Sequence, residues 1–312
     1  MRFAVEGWAP EYGAPMDDAE LSDPAHPPDP EVEVLAAQWA PRDPDPATSP
    51  PAALLFVDGV RRIEARVWVT GEDGTTQQGI CASYASGVVR AAGRRATLVH
   101  HRVARGLFCP AASAEPIVTR HATFPVHGVA ADTFDVLSQA LQSQMASLEA
   151  EVAAEAQRDH VDGDTLLIVD GPLRGVAGGV GYIKTHHTKY LPDDLHRVAA
   201  DLVPGQRTPL FLVTAKYGRS SYSWYQRLPG IAGHPWAGVV RCEVTANGTV
   251  GQAAARADQV AATLPRFASQ AHKDPRASQN LHPIAGLERE LRRRLGDPAL
   301  LYRSLRSAAA GP

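Results

Sequence analysis

The sequence predicts an α/β protein, a mixed sheet flanked by helices and entered through an irregular arm. Three observations predict it. Apolar runs of strand length recur between residues 53 and 245. A long amphipathic stretch at 131–157 interrupts them, and two more helical stretches close the chain near 252–270 and 283–295. Proline crowds the start, with 11 of 25 prolines in residues 1–51.

The arm comes first. Stretches such as "DPAHPPDP" and "APRDPDPATSPP" lack backbone donors and have fixed φ, so regular structure is scarce there. Short ordered pieces are expected around Trp8 and "VEVLAAQWA". The arm is either a plain linker or a segment that docks on a partner or embraces a dimer mate. Residues 1–50 carry two basic side chains and eleven acids, so the totals of 31 and 34 leave 29 basic against 23 acidic residues beyond them. A mildly basic body suits a polyanionic partner without requiring one.

From residue 53 the strands follow in order. "ALLFVDG" is apolar, and "RIEARVWVT" alternates Ile63, Ala65, Val67 and Val69 inward. Asp73-Gly74 is a favoured hairpin turn, after which "QQGICASYASGVV" returns, so 53–89 reads as a three-stranded meander. Residues 90–125 are ambiguous, with strand-like pieces such as "ATLVHH". In the helix over 131–157, Leu137, Leu141, Met145, Leu148 and Val152 make one stripe. "TLLIVDGPL" (165–173) and "VGYIKTHHTKYLP" follow, then a helix at 193–202 and strands in "PLFLVTAKY", "SYSWYQRL" and "AGVVRCEVT".

Bulk properties bound the function. At 312 residues, 44% hydrophobic and 21% charged, the chain can bury a substantial core as one large domain or two small ones. The expected division is an acidic arm over 1–51 and a catalytic domain over 52–312. No apolar run approaches the ~18 residues of a membrane span, and "MRFAVEGWAPEYG" has no signal-peptide core. Cys81, Cys109 and Cys242 are far apart with no CxxC, which suits buried thiols in a reducing cytoplasm rather than a zinc site. Neither a Walker motif nor a GxGxxG fingerprint is present, which excludes the usual motor and dehydrogenase chemistries.

Two of the strands end in the same way. "ALLFVDGV" carries Asp58 and "TLLIVDGPL" carries Asp170, each a carboxylate where an apolar strand leaves the core. Ionising an acid there costs several kcal/mol unless something offsets it. Asp-Gly is also a common turn pair. A hairpin-rich sheet with an acid on its first strand, a helix, a second acid-ended strand and a last helix is the layout of a ribonuclease H-like nuclease core. Such a core gathers acidic or His positions to bind two hard divalent ions ~3.5–4 Å apart. At ~100° per residue, Glu149 and Glu151 each lie about 80° from the centre of the apolar stripe, so spacing does not choose between them. On the last helix Glu288 edges the stripe of Ile284, Leu287, Leu291 and Leu295, whereas Glu290 points away.

The segments "LLFVDGVRRIEARV", "LLIVDGPLRG", "GYIKTHHTKYLP", "SWYQRLPG" and "DPRASQNLHPIAGLERELRRRLGDPALL" together resemble the NurA family of DNA-end-processing nucleases, in the family's order, over residues 53–306. The resemblance implies a ribonuclease H-like core, a ring-like homodimer and Mn2+- or Mg2+-dependent cleavage of DNA. It also implies work with a HerA-type hexameric ATPase in double-strand break resection. Carried over, Asp58 and Asp170 match the strand ligands. Glu149, four residues after Met145, best matches the helix glutamate, with Glu151 as fallback. Glu288 in "HPIAGLE" stands where the family often has His or Asp, and His282 ranks second. Lys184 would hold a phosphate or the attacking water, with Tyr190, His186 and His187 along the same channel.

The remaining DNA contacts are read from charge and aromatics. Arg219, Tyr222, Trp224, Tyr225 and Arg227 interleave basic and aromatic groups suited to unpaired bases, or equally to packing within a strand. Arg61, Arg62 and Arg276 join them. Residues 271–306 hold eight Lys/Arg against four acids, a solvated helix face or a grip on the DNA backbone. The expected mechanism is two-metal hydrolysis, one ion bridged by Asp58 and Asp170 and the other held by Asp58 with Glu149 or Glu288. The alternative is an inactive DNA-binding adaptor of a hexameric translocase, against which the intact strand-end acids argue.

Overall fold

A computed structural model describes Trp8 and residues 21–71, 74–160, 164–214, 220–230 and 235–310. The fold is mixed α/β. Strands β1 (Ala53–Thr70), β2 (Thr76–Ala92) and β3 (Arg95–Cys109) lead into the short β4 (Ile117–Val118), β5 (Thr123–Phe124) and β6 (Val126–Gly128). Helix α1 (Phe134–Asp159) follows, then β7 (Thr165–Asp170), β8 (Val180–Ile183) and α2 (Asp193–Ala200). Strands β9 (Phe211–Thr214), β10 (Ser220–Arg227) and β11 (Val239–Thr245) precede α3 (Val250–Thr263), α4 (His282–Arg294) and α5 (Pro298–Ala309).

The chain divides into two units. The first unit is Met1–Phe56, Arg90–Ala96 and Val161–Ala285. Its strand order is β7-β8-β11-β10-β9, with the first residues of β1 beside β7. β7 and β8 are parallel, and the other pairs within β8-β11-β10-β9 are antiparallel. Ala53 N–H donates to the Asp164 carbonyl (3.4 Å) and Ala52 N–H to Asp164 Oδ2 (2.9 Å), so β1 and β7 begin side by side. One core joins Leu54, Phe56, Leu166, Ile168 and Trp224 to Ala257 and Val260 of α3. Each large apolar side chain so buried contributes ~1.5–3 kcal/mol.

The second unit is Val57–Val89, Thr97–His160 and Gly286–Pro312, with strand order β6-β3-β2-β1. The expected stripe of α1 is buried: Leu137, Leu141, Met145 and Leu148 pack on Ile80, Ala82 and Phe108. Leu287 and Leu291 of α4, with Leu295 just after it, pack on Val60, Ala85 and Val89.

Three sequence expectations change. The first two strands of the meander are one 18-residue strand, β1. Asp58-Gly59 is no turn: Gly59 lacks the positive φ of a tight hairpin, and Val60 continues the buried face at 4% exposure. The ambiguous stretch supplies β3, entered through Gly93 at φ +56°. Helix α5 was not expected. Gly296 (φ +88°) ends α4, Asp297 caps α5 by accepting from Leu300 N–H (2.8 Å), and Pro298 occupies the first turn. The Asp73-Gly74 turn lies partly outside the described residues, since Asp73 is not among them.

The arm is no free linker over residues 21–50. Backbone bridges join Ser22 to Thr188, Asp29 to Leu212 and Arg42 to Arg207, all within the first unit. Glu33 reinforces them through both its oxygens on Arg207 (2.9 Å each). The three cysteines are free and buried, and burial pushes the Cys81 thiol up to about 12. Among the described residues no helix is long and apolar enough to cross a membrane.

Candidate active site

In the first unit the site is built on the end of β7. Leu166–Val169 are buried, which fixes the strand, and Asp170 emerges with its side chain 12% exposed. Gly171, at φ +94°, turns the chain in a conformation that a side chain would strain, while exchanging both backbone hydrogen bonds with Tyr182 (2.8 and 3.0 Å). Lys184, one residue past β8, donates from Nζ to Asp170 Oδ2 (2.5 Å) and to Asn280 Oδ1 (3.1 Å). Asn280 Nδ2 donates in turn to Asp274 Oδ2 (2.8 Å). Asn280 is 0% and Asp274 6% exposed. Both ends of the Asn280 amide are used, so its orientation is fixed and it aims the ammonium at Asp170. The sequence reading missed Asn280 and Asp274: a buried polar loop has no periodicity to mark it.

Beside this cluster lies a cavity of about 570 Å³, lined by Asp170, Lys184, Arg174, Arg241, Arg276 and Tyr190 among others. His186 and His187 line it too. His186 is buried and neutral: burial lowers its pKa to about 4, partly opposed by its contact with the Val239 carbonyl (3.1 Å). It packs against Tyr225 and Trp236 as a core ring.

In the second unit, Asp58 is 7% exposed on β1. Its Oδ1 accepts from Gly59 N–H (2.7 Å) and its carbonyl from Ser86 Oγ (3.0 Å). Glu288 is half-buried on α4 beside Leu287, and Leu287 packs on Val60 of β1. A carboxylate oxygen of Glu288 and one of Asp58 lie within 4.8 Å of each other. The Glu149 carboxylate lies against Gly59, so closely that a Cβ there would collide with Oε1. Glu151 is placed elsewhere, 57% exposed and paired with Arg102 (2.6 Å), which also binds Glu155. Geometry therefore separates the two helix glutamates where spacing did not.

Carboxylate oxygens are hard donors, and a set made only of them suits Mg2+ or Mn2+ rather than zinc. Two such groups within 4.8 Å also repel, which a bound cation offsets. His282 lines a different cavity from Asp170. It is exposed at the start of α4, in a cavity of about 440 Å³ with Gly230, Arg266 and Ser278.

The expected DNA contacts need correction. Trp224 (0% exposed) and Tyr225 (1%) are core residues on opposite faces of β10, which is covered on both sides, so neither can stack on a base. Arg227 serves the backbone, donating to the carbonyls of Ala237, Ala200 and Pro235. Arg62 is committed to Glu64 (2.8 Å) and to the Gly296 carbonyl (3.0 Å). Arg61 stays exposed, reaching Ser138 Oγ (3.3 Å). Tyr190 and Arg276 line the 570 Å³ cavity, and Tyr222 is half-buried. Arg219 lies outside the described residues. In the basic C-terminal segment, Arg293 and Arg294 pair with Glu290 (2.8 Å each).

No family model and no curated protein matches the chain. Among solved structures it is similar to the catalytic domain of human endonuclease V with four cysteines replaced (17% identity, 88% of this chain and 91% of that chain, TM-score 0.37). It is also similar to human endonuclease V (16% identity, 83% and 92%, TM-score 0.39). A further similarity is to the NurA nuclease from Sulfolobus solfataricus, at 10% identity over 82% of this chain and 84% of that chain, with a TM-score of 0.45.

Proposed function

We propose that the protein is a metal-dependent deoxyribonuclease on a ribonuclease H-like core, with Asp58, Asp170 and Glu288 sharing a divalent ion, Mn2+ or Mg2+. The paired start of β1 and β7 carries the reading. Ala53 bonds to Asp164, and Leu54 and Phe56 share one core with Leu166 and Ile168. Side chains alternate along a strand, so Asp58 continues the face of Leu54 and Phe56, and Asp170 that of Leu166 and Ile168. Within the second unit, Asp58 and Glu288 offer oxygens within 4.8 Å of each other, and Asp170 would complete the set. Glu149 lies against Gly59, the residue after Asp58, and would be the next carboxylate to add an oxygen.

When bound, the ion supplies a lowered pKa for water and positive charge for the phosphate. The chain's own residues do the rest. Asp58, Asp170 and Glu288 would hold the ion. Lys184 Nζ, held at Asp170 by Asn280, keeps one positive charge beside the phosphate, where the developing charge of the transition state needs it. The finer reading follows the sequence resemblance: exonuclease and single-strand endonuclease action in DNA end resection at double-strand breaks. It takes the form of a homodimer working with a HerA-type hexameric ATPase.

The test is Mn2+-dependent degradation of a labelled single strand by wild type, Asp58→Ala and Asp170→Ala. Wild type should cut, a chelator should stop it, and each variant should lose at least ~100-fold, about 2.7 kcal/mol of transition-state stabilisation. Undiminished cutting by either folded variant would sink the assignment.

A further inference from the structure

The 570 Å³ cavity holds more positive charge than one lysine needs to orient one carboxylate. Arg174, Lys184, Arg241 and Arg276 line it, against Asp170, with Tyr190 as part of the wall. Its volume falls within the ~300–1,000 Å³ of small-ligand sites, room for one nucleotide rather than a duplex. The cationic side is built rather than incidental. Arg241 is 6% exposed, held by Glu243 (2.8 Å) and Ser223 (3.0 Å), and its guanidinium lies 4.7 Å from the Tyr190 ring centre. The same Glu243 accepts from Leu173 N–H (2.9 Å), which ties down the loop after Gly171. That loop presents Arg174, which is exposed and ends in Gly175 at φ +86°.

We propose that this cavity seats the phosphate of the nucleotide adjoining the cleaved bond of a single DNA strand, with Arg174 as its outer clamp and Arg241 as its buried charge. The inference rests on the nuclease reading, which places the cleaved phosphate at Asp170 and Lys184. Arg241 spends part of its charge on Glu243, and Arg174 makes no such pairing among the described residues. Arg174 is therefore the residue whose charge is available to a ligand, and its exposure makes it safe to substitute.

The experiment measures binding without cutting. Fluorescence anisotropy of a labelled oligothymidine is recorded in EDTA for wild type, Arg174→Ala, Arg174→Glu and Arg174→Lys, from 50 to 200 mM salt. Arg174→Glu should weaken binding at least tenfold, Arg174→Ala less, and Arg174→Lys little. The slope of log K against log salt should fall by about 0.7, one single-strand phosphate contact, in the alanine variant. Affinity and slope unchanged in both Arg174→Ala and Arg174→Glu would overturn the proposal, as would a wild type that binds no strand. Adding Mn2+ to the same samples separates the two readings. A strand that is bound through Arg174 but never cut removes the nuclease reading, whereas cutting that is indifferent to Arg174→Glu removes the phosphate seat.

Discussion

Two charged clusters in the first unit use the same chemistry for different ends. Around Arg207, which is 1% exposed, all three nitrogens are engaged: Nε donates to Asp258 (2.6 Å), Nη1 and Nη2 to Glu33 (2.9 Å each), and Nη1 also to the Thr208 carbonyl (3.0 Å). Glu33 takes a further bond from Leu210 N–H (2.7 Å). Around Asp170 the cation is a lysine, one carboxylate oxygen is engaged, and the cluster borders a cavity. A planar guanidinium engaged through all three nitrogens locks the arm to the body. An ammonium on a flexible stem, steered by a single amide, leaves oxygens and charge for a ligand. Closure marks the structural cluster, and openness marks the functional one.

Breaking each cluster should therefore show up in a different assay. Arg207→Met strands two carboxylates and should cost about 3–5 kcal/mol in denaturant unfolding, with cutting per folded molecule unchanged. Its pH dependence sharpens the point. Burial pushes the Glu33 carboxyl up, but the hydrogen bond and charge of Arg207, the Leu210 N–H and the charge of Arg42 together hold it below its usual 4.5. That contribution is present above the unfolded pKa and lost as pH falls through the folded one, so wild type should lose stability below about pH 4.5 and Arg207→Met should lose less there. Asp170→Asn should do the reverse. Cutting should fall at least ~100-fold, with stability within ~1 kcal/mol of wild type.

Smaller effects sharpen the geometry around β1. Gly59→Ala meets the end of Glu149 and, at 3.0 Å, Met145 Cγ, so cutting should fall about tenfold, a larger loss than that of unfolding stability. Equal losses of stability and activity would instead make Gly59 a packing residue. Glu151→Gln, on an exposed pair with Arg102, should change neither by more than ~0.5 kcal/mol.

The sequence made the acid-ended β7 and the apolar stripes of α1 and α4 legible, because alternation and helical spacing are local signals, whereas Asp58, read as a strand end, lies inside β1. It was silent where both faces of an element are covered. Trp224 and Tyr225 are consecutive yet both buried, so no alternation distinguished packing from display. The unbroken run of β1 was hidden by a glycine that serves Glu149 rather than a turn. Helix α5 was announced only by Gly296-Asp297-Pro298, a stop and start without a long stripe. Spacing on α1 allowed Glu149 and Glu151 alike; what separates them is a long-range partner, Arg102, 49 residues from Glu151.

Asp58, Asp170 and Glu288 are proposed to share one ion. Calorimetric titration of Mn2+ into wild type, Asp58→Asn, Asp170→Asn, Glu288→Gln and His282→Ala tests it without recourse to activity. Wild type and His282→Ala should bind, and each of the three acid variants should lose binding or weaken it at least tenfold. Asp170→Asn binding Mn2+ as tightly as wild type would contradict it.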